Sequence, residues 1–295
     1  MRSLLFFREL ATKAMGVIKE TKKSVLFSVF LGAVIVFIIL SVAVFADFIA
    51  PYDHNMVNME ERLVPPCSYH LLGTDMLGRD ILSRIIHGAR ISIFVGFLSA
   101  VTSASVGSAL GILSGYEGGK IDALLDIPIN SLYSFPSFLL ALVITIVLQP
   151  TLINISIAIA VAWIPVYFRV VRSLVITLKT RTLIEQERAL GAGHFYIAIH
   201  YILPACSKSI IVMMTLGVCR AIITISGLGF IGYGIPPPTP EWGTEMSLGR
   251  RYFLSGAWWP TLFPGLTIAL FVFGLNLLGE SLNTMLEPSL RVTYK

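Results

Sequence analysis

The chain has 295 residues, of which 55% are hydrophobic and only 13% charged. A soluble domain carries about 25% charged residues, so the composition argues against a water-soluble globule and places the chain in the membrane class. The net charge of +5 is taken up by loop lysines and arginines, and no nucleic-acid footprint is needed to explain it.

Taken in order, residues 1–23 read as a short basic arm. Ser24 to Ala46 is free of charge and long enough to span. It is too long for the apolar core of a signal peptide, about 7–15 residues, and is read as an uncleaved anchor. Residues 47–89 are polar, with Pro51, Pro65 and Pro66, and look helical from Asp80 onward with Asp80, Arg84 and His87 along one side. Thr74 is a candidate cap for an earlier turn. Further charge-free runs cover Ile91 to Tyr116, Ile127 to Phe168 and Tyr252 to Gly279, and Ser209 to Pro240 is interrupted only by Arg220. The run from Ile127 must cross twice, with its natural break at Gln149-Pro150. The expectation is an all-α membrane protein with six spans, near 24–46, 90–114, 123–148, 152–172, 208–234 and 259–283. Between them lie a loop at 180–205, a second loop at 235–258 entered through a stiff, extended proline run, and a tail at 284–295. The core of the protein is thus 90–283.

Of the 22 Lys and Arg, fifteen fall on the side of the termini and the 180–205 loop, six on the opposite side, and Arg220 within a span. The positive-inside rule then puts both termini and that loop in the cytoplasm. Cys67, Cys206 and Cys219 fall outside, inside and within a span, so no pairing and no metal site is expected.

Catalytic patterns are missing. Ser114 to Lys120 resembles a phosphate loop only loosely: Ser114 stands where a glycine is needed, and Ile121 follows the lysine. The mid-span positions lack Asp, Glu and His, the usual carriers of coupling ions. Arg220 is the exception; it either lines a polar cavity or pairs with a neighbouring subunit or the interface. A stand-alone ion-coupled transporter or channel, and a membrane-embedded enzyme, therefore rank far below a transporter powered from elsewhere.

The loop itself has an elbow pattern. Thr182-Leu183-Ile184-Glu185 fits a capping box, a helix runs to about Leu190, Gly191 and Gly193 suit a left-handed turn, and His194 to Ile202 forms a second short helix stopped by Leu203-Pro204. Read from spacing alone, it is either a partner-facing elbow or an ordinary solvated loop.

The motifs resemble one family. Glu185 followed by Ala189-Leu190-Gly191-Ala192 and a hydrophobic-Leu-Pro ending at Pro204 is similar to the cytoplasmic loop of ABC importer permeases. Leu72-Gly73-Thr74-Asp75, Leu77-Gly78-Arg79-Asp80, Leu82-Ser83-Arg84 and Gly88 to Ser92 resemble the C-type permease of dipeptide, oligopeptide and nickel importers. So do Pro237 to Pro240 with Trp242-Gly243, Phe263-Pro264-Gly265, Asn276 to Gly279 and Glu287-Pro288 with Leu290-Arg291.

The resemblance implies a type I ABC importer permease fold in a bacterial or archaeal cell membrane, without enzymatic activity. It implies one half of a pathway for di- or oligopeptides, with oligosaccharides or nickel complexes as the alternative cargo. The implied partners are a second, different permease, two ATPases that bind the ATP and Mg, an extracytoplasmic binding protein and membrane lipid. Glu185, Gln186, Glu187, Arg188, Ala189, Leu190, Gly191, Ala192 and Gly193, with Pro204 closing the loop, would couple to the ATPase. Three departures stand out. Gln186 and Glu187 replace the family's small residues, Arg220 stands where relatives carry a small residue, and Ile225 stands where many carry an acid.

Overall fold

The structure, a computed structural model, describes residues 25–180 and 182–286. The expected arm 1–23, Arg181 and the tail beyond 286 lie outside the described residues. The fold is all-helical: the only pairing of strand type among the described residues is one isolated bridge between Thr74 and Asp80. The helices are α1 (Val25–Val44), α2 (Ala46–Ile49), α3 (Ile81–Glu117), α4 (Gly119–Tyr133), α5 (Ser137–Leu148), α6 (Leu152–Leu178), α7 (Thr182–Ala189), α8 (His194–Ile197), α9 (Leu203–Phe230), α10 (Trp242–Phe253) and α11 (Trp259–Leu286). Among the described residues, five helices are long and apolar enough to cross a membrane, or six if α4 and α5 count as one bent span.

That bend corrects the expectation of a continuous third span at 123–148. α4 and α5 meet at 92°. Pro136 caps α5 and disfavours helix in the residue before it, so α4 ends at Tyr133. α5 has 12 residues, about 18 Å of helix, well short of a hydrocarbon core of about 30 Å. The second span is longer than the expected 90–114. α3 has 37 residues and starts at Ile81 because the Asp80 side chain accepts the Ser83 N–H as an N-cap. Thr74 caps no helix; its hydroxyl bridges the Glu61 carbonyl and the Val64 N–H. The break at Gln149-Pro150 stands, with Thr151 capping α6 through the Asn154 N–H.

Leu203-Pro204 does not stop a helix. Residues His194 to Phe230 run as one apolar helical stretch, with a π turn at Ala198–Ile202. Pro204 follows it in the first turn of α9. At that position its missing N–H is tolerated. The proline run before α10 is not extended either: it turns at Pro237-Pro238, whose peptide bond is cis.

α3 is the central element. It lies along α6 so closely that a Cβ on Gly107, Gly111 or Gly115 would sit 2.7–2.8 Å from the carbonyl oxygens of Ile164, Phe168 and Arg172. Small residues every fourth position let two membrane helices meet backbone to backbone. Val95, Ile155, Ile159, Ile225 and Leu228 fill the core between α3, α6 and α9. α1 packs through Val36, Ile39 and Ala43 against Phe271 and Leu275 of α11 and Ile222 of α9.

Candidate functional site

The elbow is built from its ends. α7 begins at Thr182 itself, so the threonine lies in the first turn and the expected capping box is displaced; the residue before it is outside the described residues. The helix ends in a Schellman turn. The Ala192 N–H donates to the Glu187 carbonyl and the Gly191 N–H to the Arg188 carbonyl, both at 3.0 Å. Gly191 has φ +86°, a left-handed conformation that glycine alone adopts without penalty. Gly193 does not share it: it is extended, with φ −69° and ψ 154°, at the position before α8.

Half of the elbow is turned inward. Ile184, Ile197 and Ile202 are buried with Tyr116 of α3 and Val171 and Val175 of α6. Arg188 Nε donates to the Tyr116 hydroxyl at 3.2 Å and its guanidinium stacks over that ring at 4.9 Å. His194 lies 3.0 Å from the Glu117 carboxylate. Glu187 accepts from the Tyr201 hydroxyl at 2.7 Å, which accounts for its departure from a small residue. Glu185, Gln186, Ala189, Gly191 and Gly193 are exposed, Ala192 is half-buried and Pro204 is exposed. Nothing in the structure explains Gln186. Two apolar side chains stand out at the tip, Leu190 at 83% and Phe195 at 79% exposure. Phe195, which the sequence did not single out, lies beyond the Gly191 turn and lines a hollow with Ile112 and Leu113 of α3.

Arg220 lines a cavity of about 300 Å³ between α3, α6 and α9. It is exposed there, and its guanidinium lies 5.1 Å from the Trp163 ring centre. Ile225, in contrast, is fully buried in the core.

A third site was not anticipated: a buried polar knot that joins the segment before α3 to α10. Arg84, 1% exposed, donates two hydrogen bonds to the Glu245 carboxylate at 2.9 and 2.6 Å. It donates further to the His54 carbonyl at 2.8 Å and the Pro238 carbonyl at 3.2 Å. Asp75 holds Arg79 at 2.6 Å, and Asp80 holds His70 at 2.9 Å. Two indoles complete the joint: Trp242 Nε1 donates to the Ile85 carbonyl and Trp259 Nε1 to the Thr74 carbonyl. Glu241, fully buried, accepts the Gly243 and Thr244 N–H groups at 2.8 Å and starts α10. Burial pushes its carboxyl above the usual range. The sequence motifs Gly73 to Arg84 and Trp242-Gly243 are thus the two halves of one joint. All three cysteines are free, Cys67 exposed and Cys206 and Cys219 buried. Among the described residues no group of His, Cys, Asp and Glu could hold a metal ion.

Comparison with known proteins agrees with this architecture. Residues 107–292 match the model of the binding-protein-dependent transport system inner membrane component. Residues 28–66 match the N-terminal TM domain of oligopeptide transport permease C. The chain is 40% identical over 267 residues to the dipeptide transport system permease protein DppC of Haemophilus influenzae, covering 88% of this chain and 90% of that one. It is 40% identical to the di/tripeptide transport system permease protein DppC of Pseudomonas aeruginosa, over 88% of each chain. It is 39% identical to the dipeptide transport system permease protein DppC of Alkalihalophilus pseudofirmus, over 92% and 89%. The chain belongs to the binding-protein-dependent transport system inner membrane components, a multi-pass C-type ABC permease of the oligopeptide kind.

Proposed function

We propose that this chain forms one half of the translocation pathway of a di- or oligopeptide importer, and that the α7–α8 elbow is where an ATPase docks. The observation that carries the docking is the exposed Leu190 at the Gly191 turn of an elbow tied to the end of α3. Apolar side chains of that exposure are poor ends for a solvated loop but suit a socket. The clamp through Arg188 and His194, on Tyr116 and Glu117, would carry motion of the elbow into α3. The peptide cargo is supported by the names of the relatives. In this reading the chain is non-catalytic and both termini are cytoplasmic. A second, different permease completes the pathway, two ATPases bind ATP and Mg, and a binding protein on the opposite side delivers the peptide.

The test uses the assembled importer in proteoliposomes. Leu190→Asp is expected to lower copurification of the ATPase and binding-protein-stimulated ATP hydrolysis about tenfold, with the permease still folded. Gly191→Pro demands φ near −65° where the chain has +86° and removes the N–H donated to Arg188. ATP hydrolysis is expected to continue there while peptide uptake falls. Wild-type coupling in both variants would sink the docking assignment.

A further inference from the structure

Arg220 sits ten residues before the end of α9 at Phe230, about 15 Å along the helix and so near the middle of a hydrocarbon layer of about 30 Å. A cation at that depth is costly and marks a functional site when it faces a cavity. Arg220 faces the cavity of about 300 Å³ described above, the low end of the range for a small-molecule site. The ion pairs among the described residues do not include it. The Trp163 ring lies under the guanidinium and holds it by a cation–π contact.

The other polar groups of the cavity are already committed. The Ser99 hydroxyl donates to the Val95 carbonyl at 2.7 Å and lies 3.1 Å from that of Ser156. Ser103 donates to the Ala100 carbonyl at 3.1 Å, and the Tyr167 hydroxyl to the Met213 carbonyl at 3.1 Å. The Trp163 indole N–H is buried with no acceptor. What remains free in the cavity is the Arg220 cation, seated on the Trp163 ring, in a space that could admit a small solute.

We infer that this cavity receives the C-terminal carboxylate of the peptide cargo as it crosses the membrane. The inference rests on the proposed peptide pathway. A carboxylate is the one group that every linear peptide carries and that a guanidinium binds with two hydrogen bonds. The peptide's ammonium end is repelled from the same place, so the cargo is oriented. A lipid headgroup would also offer an anion, but headgroups lie at the interface, not at this depth. The binding must be weak enough for release onward, which a single guanidinium without a second cation provides.

The experiment uses the complete importer in proteoliposomes, with a dipeptide and its C-terminal amide at concentrations that load the binding protein equally. Arg220→Gln is expected to lower uptake of the free acid about tenfold per ATP hydrolysed, with uptake of the amide unchanged and binding-protein-stimulated hydrolysis intact. Arg220→Lys keeps the charge but not the two-pronged contact, and a loss smaller than that of Arg220→Gln is expected. Trp163→Phe leaves a smaller ring and weakens the cation–π contact that positions the guanidinium; a loss of about threefold, for the acid only, is expected. The substitution Arg220→Gln removes a charge from within the bilayer, so assembly is not expected to suffer, and Trp163→Phe decides the matter should it do so. Equal uptake of the acid by wild type and the Gln and Phe variants would overturn the inference. So would equal losses for acid and amide, or equal losses in the Gln and Lys variants, which would mean a steric role. A wild-type importer that moves no peptide at all would count against the peptide pathway instead.

Discussion

An Arg84→Leu chain is expected to lose about 3–5 kcal/mol of folding stability, the cost of breaking a buried ion pair by removing one partner. The side chain is fully enclosed and makes four hydrogen bonds to three separate segments: the Glu245 carboxylate, the His54 carbonyl and the Pro238 carbonyl. Its removal leaves a buried carboxylate with no counter-charge and two carbonyls with no donor. Arg84→Lys does not rescue it, because an ammonium cannot reproduce the two-pronged contact. The paired change Arg84→Leu with Glu245→Leu is expected to cost less than Arg84→Leu alone, since no uncompensated charge remains. Denaturant or thermal unfolding in detergent, followed for the three variants, checks this. A single-variant loss under about 1 kcal/mol would place the knot's stabilisation elsewhere.

Gly111→Leu is expected to destabilise by about 3 kcal/mol or more, at or beyond the upper end of ordinary overpacking. A Cβ at Gly111 would meet the Phe168 carbonyl oxygen at 2.8 Å, and the Arg172 nitrogen and the Val171 Cβ at 3.1 Å. Two of these three are backbone atoms and cannot rotate away. α3 and α6 would have to part, and the contacts flanking Gly107 and Gly115 would part with them. Gly111→Ala already brings the clashing Cβ and should cost about 1–3 kcal/mol. Gly193→Ala is the control: nothing lies within 4 Å of its would-be Cβ and its φ is ordinary, so stability should stay within about 0.5 kcal/mol. Unfolding midpoints of the purified chains give the ranking, and a Gly111→Leu chain as stable as Gly193→Ala would mean that the helices do not touch as described.

The sequence made local features readable. Charge-free runs mark α1, α3, α6, α9 and α11, and Gly191 takes the left-handed turn, because each depends only on neighbouring residues; the caps of α3 and α6, Asp80 and Thr151, were not read. The bend at Pro136 was hidden inside a long apolar run, where hydropathy reports burial but not direction; Phe135-Pro136 was the available signal. Pro204 misled because a proline stops a helix only where its N–H is needed, and a π turn upstream changes that need. The knot could not be read at all from spacing, since Arg84 and Glu245 are 161 residues apart; only the resemblance marked both halves. Within the elbow, exposure divides what sequence could not: Glu187 is held by Tyr201, while Leu190 is exposed.

The glycine contact of α3 with α6 lies far from the middle of α3. Gly111 is about 9 Å from Glu117, beside the elbow, and about 45 Å from Ile81, at the outer knot. If the glycine row acts as a fulcrum, α3 is a lever with arms in a ratio of about five, and a tilt of about 1 Å at the elbow sweeps the outer end by about 5 Å. Spin labels at the two ends of α3, read against α6 with and without nucleotide, would show equal displacements if the helix slides and unequal ones, in that ratio, if it pivots. Under the proposed docking at the elbow, a small displacement there would be geared up into a wide opening at the other end of the helix.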